Sequence, residues 1–460
     1  MKRRSASFRL FLRGLIALLL VFVLAGWLAV GASPRIEVQP SGAAIGRKTL
    51  VTVTVAEPRR GLSRITVDLE QNGARHRLAE KTYEPRPFWA PWADAVEHDE
   101  LRLEVGKASV PALAEGTATL HVEAARAGTW LRDPAPASLE IALPVVLTPP
   151  NLSVLSTQHN VAQGGSGAVV YRLSGNATRD GVRAGEWFFP GSALPGGAPG
   201  TRFALFGIPW DLADPGAVRL LAEDAAGNAS ERSFLDRFAA RPPRPATLSV
   251  DDAFLARVVP EILGSTTEVR EQADLLASYL AINGELRRKN NQRLRTLAAA
   301  TEPGFLWRRP FRQLPGSAVM ASFADRRTYL YQGRKVDQQD HLGFDLATFE
   351  KAPVAAANRG KVVLAEYFGI YGNTVVLDHG YGLGSLYSHL SSIDVEPGQM
   401  VEPGQRLGAT GKTGLAGGDH LHFSMLLHGL PVNPVEWWDP RWLETHLSAK
   451  LGTALPLDPR

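Results

Sequence analysis

The chain is 460 residues long, 45% hydrophobic and 21% charged, the composition of folded globular domains and too long for one ordinary core. Cysteine is absent, which excludes disulfide frameworks, thiol catalysis and cysteine-based zinc fingers. The formal charge of +4 is local: five of the 50 basic residues precede residue 34 with no acid among them, and the other 45 face 46 acids. A near-neutral body carries no electrostatic footprint for nucleic acid.

Lys2, Arg3, Arg4, Arg9 and Arg13 flank the uncharged apolar run Gly14 to Ala32. Its length approaches the ~20 residues of a membrane-spanning helix and exceeds the roughly 7–15 of a signal-peptide core. The basic flank predicts a cytoplasmic N-terminus and an exported body. An uncleaved signal anchor is the first reading, and a cleaved signal ending at Val30-Gly31-Ala32 is the alternative.

From Arg35 to about Pro149 the chain alternates apolar and polar residues, at 48–55, 63–69, 100–105, 118–124 and 138–143, between Gly, Pro and Asn punctuation. Short strands at this spacing predict a β-sandwich. A second set follows at 151–155, 167–173, 185–189, 202–207 and 218–228, closing on EDAAGN (Glu223–Asn228), which resembles the strand-end turn of bacterial immunoglobulin-like repeats. Gly227 and Asn228 are read there as turn residues. Arg241 to Pro245 is a polyproline-type linker. Asp251 and Asp252 can cap a helix, and a longer helical stretch spans roughly 267–300 with an interruption near Asn283-Gly284. This segment is either a spacer or a restraint packed over the neighbouring module. The divisions are 1–33, 34–149, 150–240, 241–302, 303–440 and a tail, 441–460. The fold class is mainly β.

Beyond Pro315 short apolar strands alternate with glycine, and five histidines fall between 341 and 422. His420 and His422 are alternate residues of one strand, so their imidazoles share a face. With His341 and Asp345 they make a set of imidazole and carboxylate, the zinc donors left in a chain without cysteine.

His341-Leu342-Gly343-Phe344-Asp345, then Leu386 to Leu390 (LYSHL), then Gly418 to Phe423 (GDHLHF), resemble the lysostaphin/LytM-type zinc metallopeptidases. The resemblance covers about 315–436 and is supported by GNTVVLDHGYG (372–382) and VEPGQRLGATGKTG (401–414). It implies a C-terminal all-β lysostaphin-type domain of the duplicated hybrid motif, with His341, Asp345 and His422 holding one Zn2+. His389 and His420 would be the metal-free catalytic histidines, and His379 a strand-end histidine. Ser385 stands where the family commonly has threonine, and Asp419 where proline often stands. The implied protein is a membrane-anchored metalloendopeptidase that cuts peptidoglycan peptide crosslinks on the exported side of the cytoplasmic membrane. Its β modules would face envelope partners. The alternatives are a degenerate member that activates other wall hydrolases and a β-sandwich adhesion protein. Retention of all five side chains argues against the first, and the second holds only if the metal motifs are coincidental.

Overall fold

The computed structural model describes residues 3–28, 30, 32–87, 89–90, 92–455 and 457–458. Lys2 and Gly31, part of the basic flank and of the small-residue site, lie outside them. The chain forms two compact units, Met1–Pro150 with Asn176–Thr178 and Glu223–Ser230, and the remainder.

In the first unit, helix α1 (Arg3–Leu28) takes the N-terminal run. The described helix includes Arg9 and Arg13, and its uncharged part begins at Gly14. Among the described residues no helix is long and apolar enough to cross a membrane, so the spanning helix expected over Gly14–Ala32, part of which lies outside them, is not supported.

Seven strands follow as two antiparallel sheets. One has the order 35–40, 49–56, 98–105, and the other 74–82, 62–71, 116–126, 137–145. Alternation in Thr49–Ala56 sends Val51, Val53 and Val55 inward against Ile65, Val67, Leu69, Leu120 and Val122 of the other sheet. The strand 74–82 pairs with the third strand and not with the fifth, so the order is not that of a constant-type immunoglobulin domain. Asp224 and Asn228 close the EDAAGN turn. Asp224 accepts from the Ala226 and Asn228 amides at 2.9 Å, and the Asn228 side chain donates to Val146 O at 2.7 Å. With Gly227 at φ +77°, these are turn residues.

The second unit is built on an eight-stranded sheet whose main path runs 318–321, 344–347, 421–427, 383–390, 373–380, 360–367, 400–401. Both its faces are covered, which is why its strands read as nearly continuous apolar runs. Val375, Leu377, Tyr387, Phe423 and Met425 look into one core, and Val376, Leu386 and Leu426 into another.

The first of these cores is continuous with the β module that begins at Asn151. Phe203 meets Phe305 and Tyr381, with ring centroids 5.6 and 4.9 Å apart, and Trp437 Nε1 donates to Ser166 Oγ at 3.2 Å. The module expected at 150–240 holds a four-stranded sheet 192–193, 201–207, 166–173, 152–154 and a second sheet through 187–190, 177–184 and 218–224, and its core runs on into that of the C-terminal domain. The segment expected as a tail is part of the same core, for Leu443, Leu447, Leu451 and Leu455 are buried in it.

The second core is closed by helices. Helix α2 (Asp252–Leu263) starts on Asp251, whose side chain accepts from Phe254 N at 2.8 Å. Helices α3 (Leu275–Ala281) and α4 (Arg287–Ala298) are joined through a π turn at Ile282–Leu286. The break expected at Asn283-Gly284 is thus a widened turn in a continuous helix, held where Asn283 Nδ2 donates to Asp337 Oδ2 at 2.7 Å. Leu255, Val258, Val259 and Ile262 of α2 pack with Leu364, Phe368 and Ile370 of the sheet unit.

Glu436 lies buried in the first core, where its carboxylate accepts from Ser166 N at 2.7 Å. Burial pushes its pKa up from 4.5 to about 7. The folded state therefore binds this proton more tightly than the unfolded state. The contribution to stability is complete below pH 4.5 and is lost as pH rises through 7, by up to about 3 kcal/mol. Thermal unfolding should show Glu436→Gln flattening the loss of stability between pH 5 and 8. An unchanged pH slope would contradict this.

Candidate metal centre and its histidines

Asp345 and His422 are cross-strand partners in the large sheet, so their side chains leave one face side by side. His341 ends the strand Arg334–His341, and the chain turns into Asp345 through Gly343. A Cβ on Gly343 would lie 2.6 Å from the His422 ring, which closes the position to a side chain. No such crowding exists at Gly418, an ordinary turn glycine.

The result is a near-equilateral triangle of donor atoms. His341 Nε2 lies 2.9 Å from Asp345 Oδ1 and 3.0 Å from His422 Nδ1, which is itself 3.0 Å from Asp345 Oδ1. Their hydrogen-bond partners fix where the protons are. His341 Nδ1 faces the Ser322 carbonyl at 3.0 Å, which can only accept, so Nδ1 carries the hydrogen. The Ser424 hydroxyl donates to Leu342 O at 2.8 Å and accepts from His422 Nε2 at 3.0 Å. Both imidazoles thus turn a bare lone pair toward a carboxylate oxygen, and all three atoms are buried. Lone pairs so arranged repel unless a cation lies among them. Two nitrogens and one oxygen with ~3 Å edges suit Zn2+, whose bonds of roughly 2.0–2.1 Å place tetrahedral ligands about 3.3 Å apart. His341, Asp345 and His422 therefore fit a divalent ion as a set.

The other Asp345 oxygen, Oδ2, accepts from Arg327 Nη2 at 2.6 Å, leaving Oδ1 to face the histidines. Burial favours the neutral acid, but the attraction of His341, His420 and His422 in their protonated forms, His341 first, outweighs it and holds Asp345 well below the usual carboxylate range. Burial likewise brings His422 down to about 4.

His389 and His420 stand beside the triangle, with ring centroids 4.9 Å apart. Each is oriented by a backbone carbonyl. His389 Nδ1 donates to Thr413 O and His420 Nδ1 to Gly418 O, both at 2.8 Å. Their Nε2 atoms are left for chemistry, that of His420 3.5 Å from Asp345 Oδ1. Burial, then repulsion from His420 and His422, puts the His389 pKa well below the ordinary imidazole value. For His420 burial acts in the same direction, but the hydrogen bond to Asp345 and its charge outweigh it and raise the pKa. His389 has φ +61°, a left-handed conformation costly for a residue with a Cβ.

All five predicted side chains thus come together, whereas His379 does not join them. Buried, with its pKa lowered to about 4, it bonds Arg359 O and Ser385 Oγ at 2.7 Å each. Ser385 continues that chain to Tyr387 and faces away from the site. Asp419 replaces proline's stiffness with bonds: Thr410 Oγ1 donates to it at 2.6 Å and Lys351 N at 3.1 Å. Arg327, Ser322, Thr413 and Ser424 were missed from the sequence. Only Ser424, two residues past His422 on the same strand face, had a signal there, its period-two spacing.

Residues 339–434 match peptidase family M23. The chain is similar to peptidoglycan DD-endopeptidase ShyA of Vibrio cholerae, 32% identical over 161 residues, 35% of this chain and 34% of the relative. It is also similar to DD-carboxypeptidase/endopeptidase Mpg of Neisseria meningitidis, 39% identical over 95 residues, 21% of this chain and 22% of the relative. A solved structure of the catalytic domain of the antimicrobial peptidase lysostaphin from Staphylococcus simulans aligns at 23% identity and TM-score 0.21, over 31% of this chain and 96% of that chain. The chain spans about a third or less of the length of these two curated relatives.

Because Ser424 fixes the His422 tautomer, Ser424→Ala should weaken zinc binding by roughly 10–100-fold. Competition against a chromophoric chelator measures this. Wild-type affinity would show that the tautomer needs no partner.

Proposed function

We propose that this chain, whose C-terminal part is an M23 peptidase domain, is a zinc metalloendopeptidase that hydrolyses peptide crosslinks of peptidoglycan. The observation that carries the proposal is the triangle of bare donor atoms with two carbonyl-anchored histidines beside it. The peptidoglycan DD-endopeptidase among the relatives supports the substrate class. This reading places the body on the exported side of the membrane. The basic flank and the uncharged apolar run that follows it support export.

His341, Asp345 and His422 would hold the ion, which when bound lowers the pKa of a water and polarises a peptide carbonyl. The remaining work falls to the two histidines. Their bare Nε2 atoms can take the proton of the attacking water and return one to the leaving amine. Arg327 keeps Asp345 facing the histidines through its other oxygen. The activator reading is disfavoured because a scaffold has no need of two histidines anchored by backbone carbonyls beside a complete ligand set.

Incubation of purified sacculi with the protein, followed by mass spectrometry of the muropeptides, tests the reaction. Crosslinked dimers should give way to monomers, the conversion should stop with a chelator, and zinc should restore it. Persistence of the dimers would reject the proposal. His389→Ala and His420→Ala should each keep zinc and lose about 10²–10⁴-fold in turnover, the usual worth of general acid–base catalysis. Turnover within a few-fold of wild type in both variants would remove the pair from the mechanism.

A further inference from the structure

We propose that α2 is a positioning element for His389, acting through the backbone of residues 412–416. This inference rests on reading His389 as catalytic. By strand alternation, His422, Ser424 and Leu426 lie on the sheet face that α2–α4 cover, so the helices and the site share that face. On α2, Arg257 and Glu261 are four residues apart and project side by side. Arg257 donates to Lys412 O at 3.3 Å and to Ala416 O, and Glu261 Oε1 accepts from Gly414 N at 2.8 Å. One helix face thus offers donors to two loop carbonyls and an acceptor to the amide between them. Tyr367 steadies the acceptor, its hydroxyl donating to Glu261 Oε1 at 3.1 Å.

The gripped loop is the one that orients the histidine. Thr413, between the clamped residues, supplies the carbonyl that takes the His389 Nδ1 proton, while its hydroxyl donates to Leu390 O at 2.9 Å. The loop has little freedom of its own. Gly414 sits at φ +71°, where a Cβ would lie 2.5 Å from Gly372 N, and Leu415 N donates to Ile370 O at 2.9 Å. His389 itself holds a left-handed backbone, which persists only where neighbours over-determine it. If Thr413 O moves, the Nδ1 proton loses its acceptor, and the ring becomes free to exchange tautomers or turn its Nε2 out of line. Arg257 and Glu261 are therefore positioning residues, and α2 is a support of the centre.

The test uses the full, zinc-loaded chain with ¹⁵N-labelled histidine rings, the His389 signals being identified by their loss in His389→Ala. Wild type should show one tautomer, Nδ1–H. Glu261→Ala should show mixed tautomers at normal zinc content. On sacculi its kcat should fall roughly 10–100-fold, as a small misplacement does, with KM within about twofold. Glu261→Gln, which keeps an accepting oxygen, should restore both. If Glu261→Ala does not fold, Arg257→Ala carries the same expectation. A single Nδ1–H tautomer in the folded variant overturns the proposal whatever its kcat. Should wild type leave sacculi intact, the functional reading fails while the ring spectra still decide the role of α2.

Discussion

His341 and His422 each have one ring proton, and each commits it away from Asp345, to a carbonyl in one case and to a serine hydroxyl in the other. From that placement follows a buried triangle of lone pairs that no rearrangement of the site's own hydrogens can satisfy, because the Ser424 proton is held by Leu342 O. Unpaired buried polar atoms are costly, so such a triangle persists only if the scaffold is stiff enough to impose it. The stiffness comes from register. Asp345 opposes His422 in the ladder, and a slip of one residue would send them to opposite faces. Two cores, one on each side of the sheet, prevent the slip.

The same logic extends to the metal-free histidines. Main-chain carbonyls, which cannot rotate away as side chains do, hold His389 and His420, and both carbonyls sit in loops tied down from elsewhere. Asp419 ties the turn before His420, and α2 ties residues 412–416. The site is therefore assembled from short strands but aimed by loops, and the rigidity of those loops is borrowed from neighbours.

The chemistry was far more legible than its support. The strands 373–380 and 383–390 announce themselves by apolar runs, and His420 and His422 by their spacing, because the signal in each case is local. Arg327, Thr413 and Arg257 give no local signal, since what makes each matter is a partner far along the chain. The strand Ala177–Ala184 escaped notice because it alternates weakly and is kinked at Gly181, whose φ is +151°. That the modules expected at 150–240 and 303–440 share one core escaped notice for a related reason. Phe203 and Trp437 look like ordinary core residues of separate modules, and pattern alone cannot show that they fill one interior.

That shared interior bears on the order in which the chain is made. Ser166 bonds to Glu436 and Trp437 across 270 and 271 residues, so that part of the early β module waits for a segment far along the chain. Contacts this distant in sequence form late, and surfaces awaiting them are exposed meanwhile. The last buried turns, around Leu443 to Leu455, close an interior begun near residue 152. A chain truncated before Leu443 would thus hold the metal-site sequence without the finished core around it.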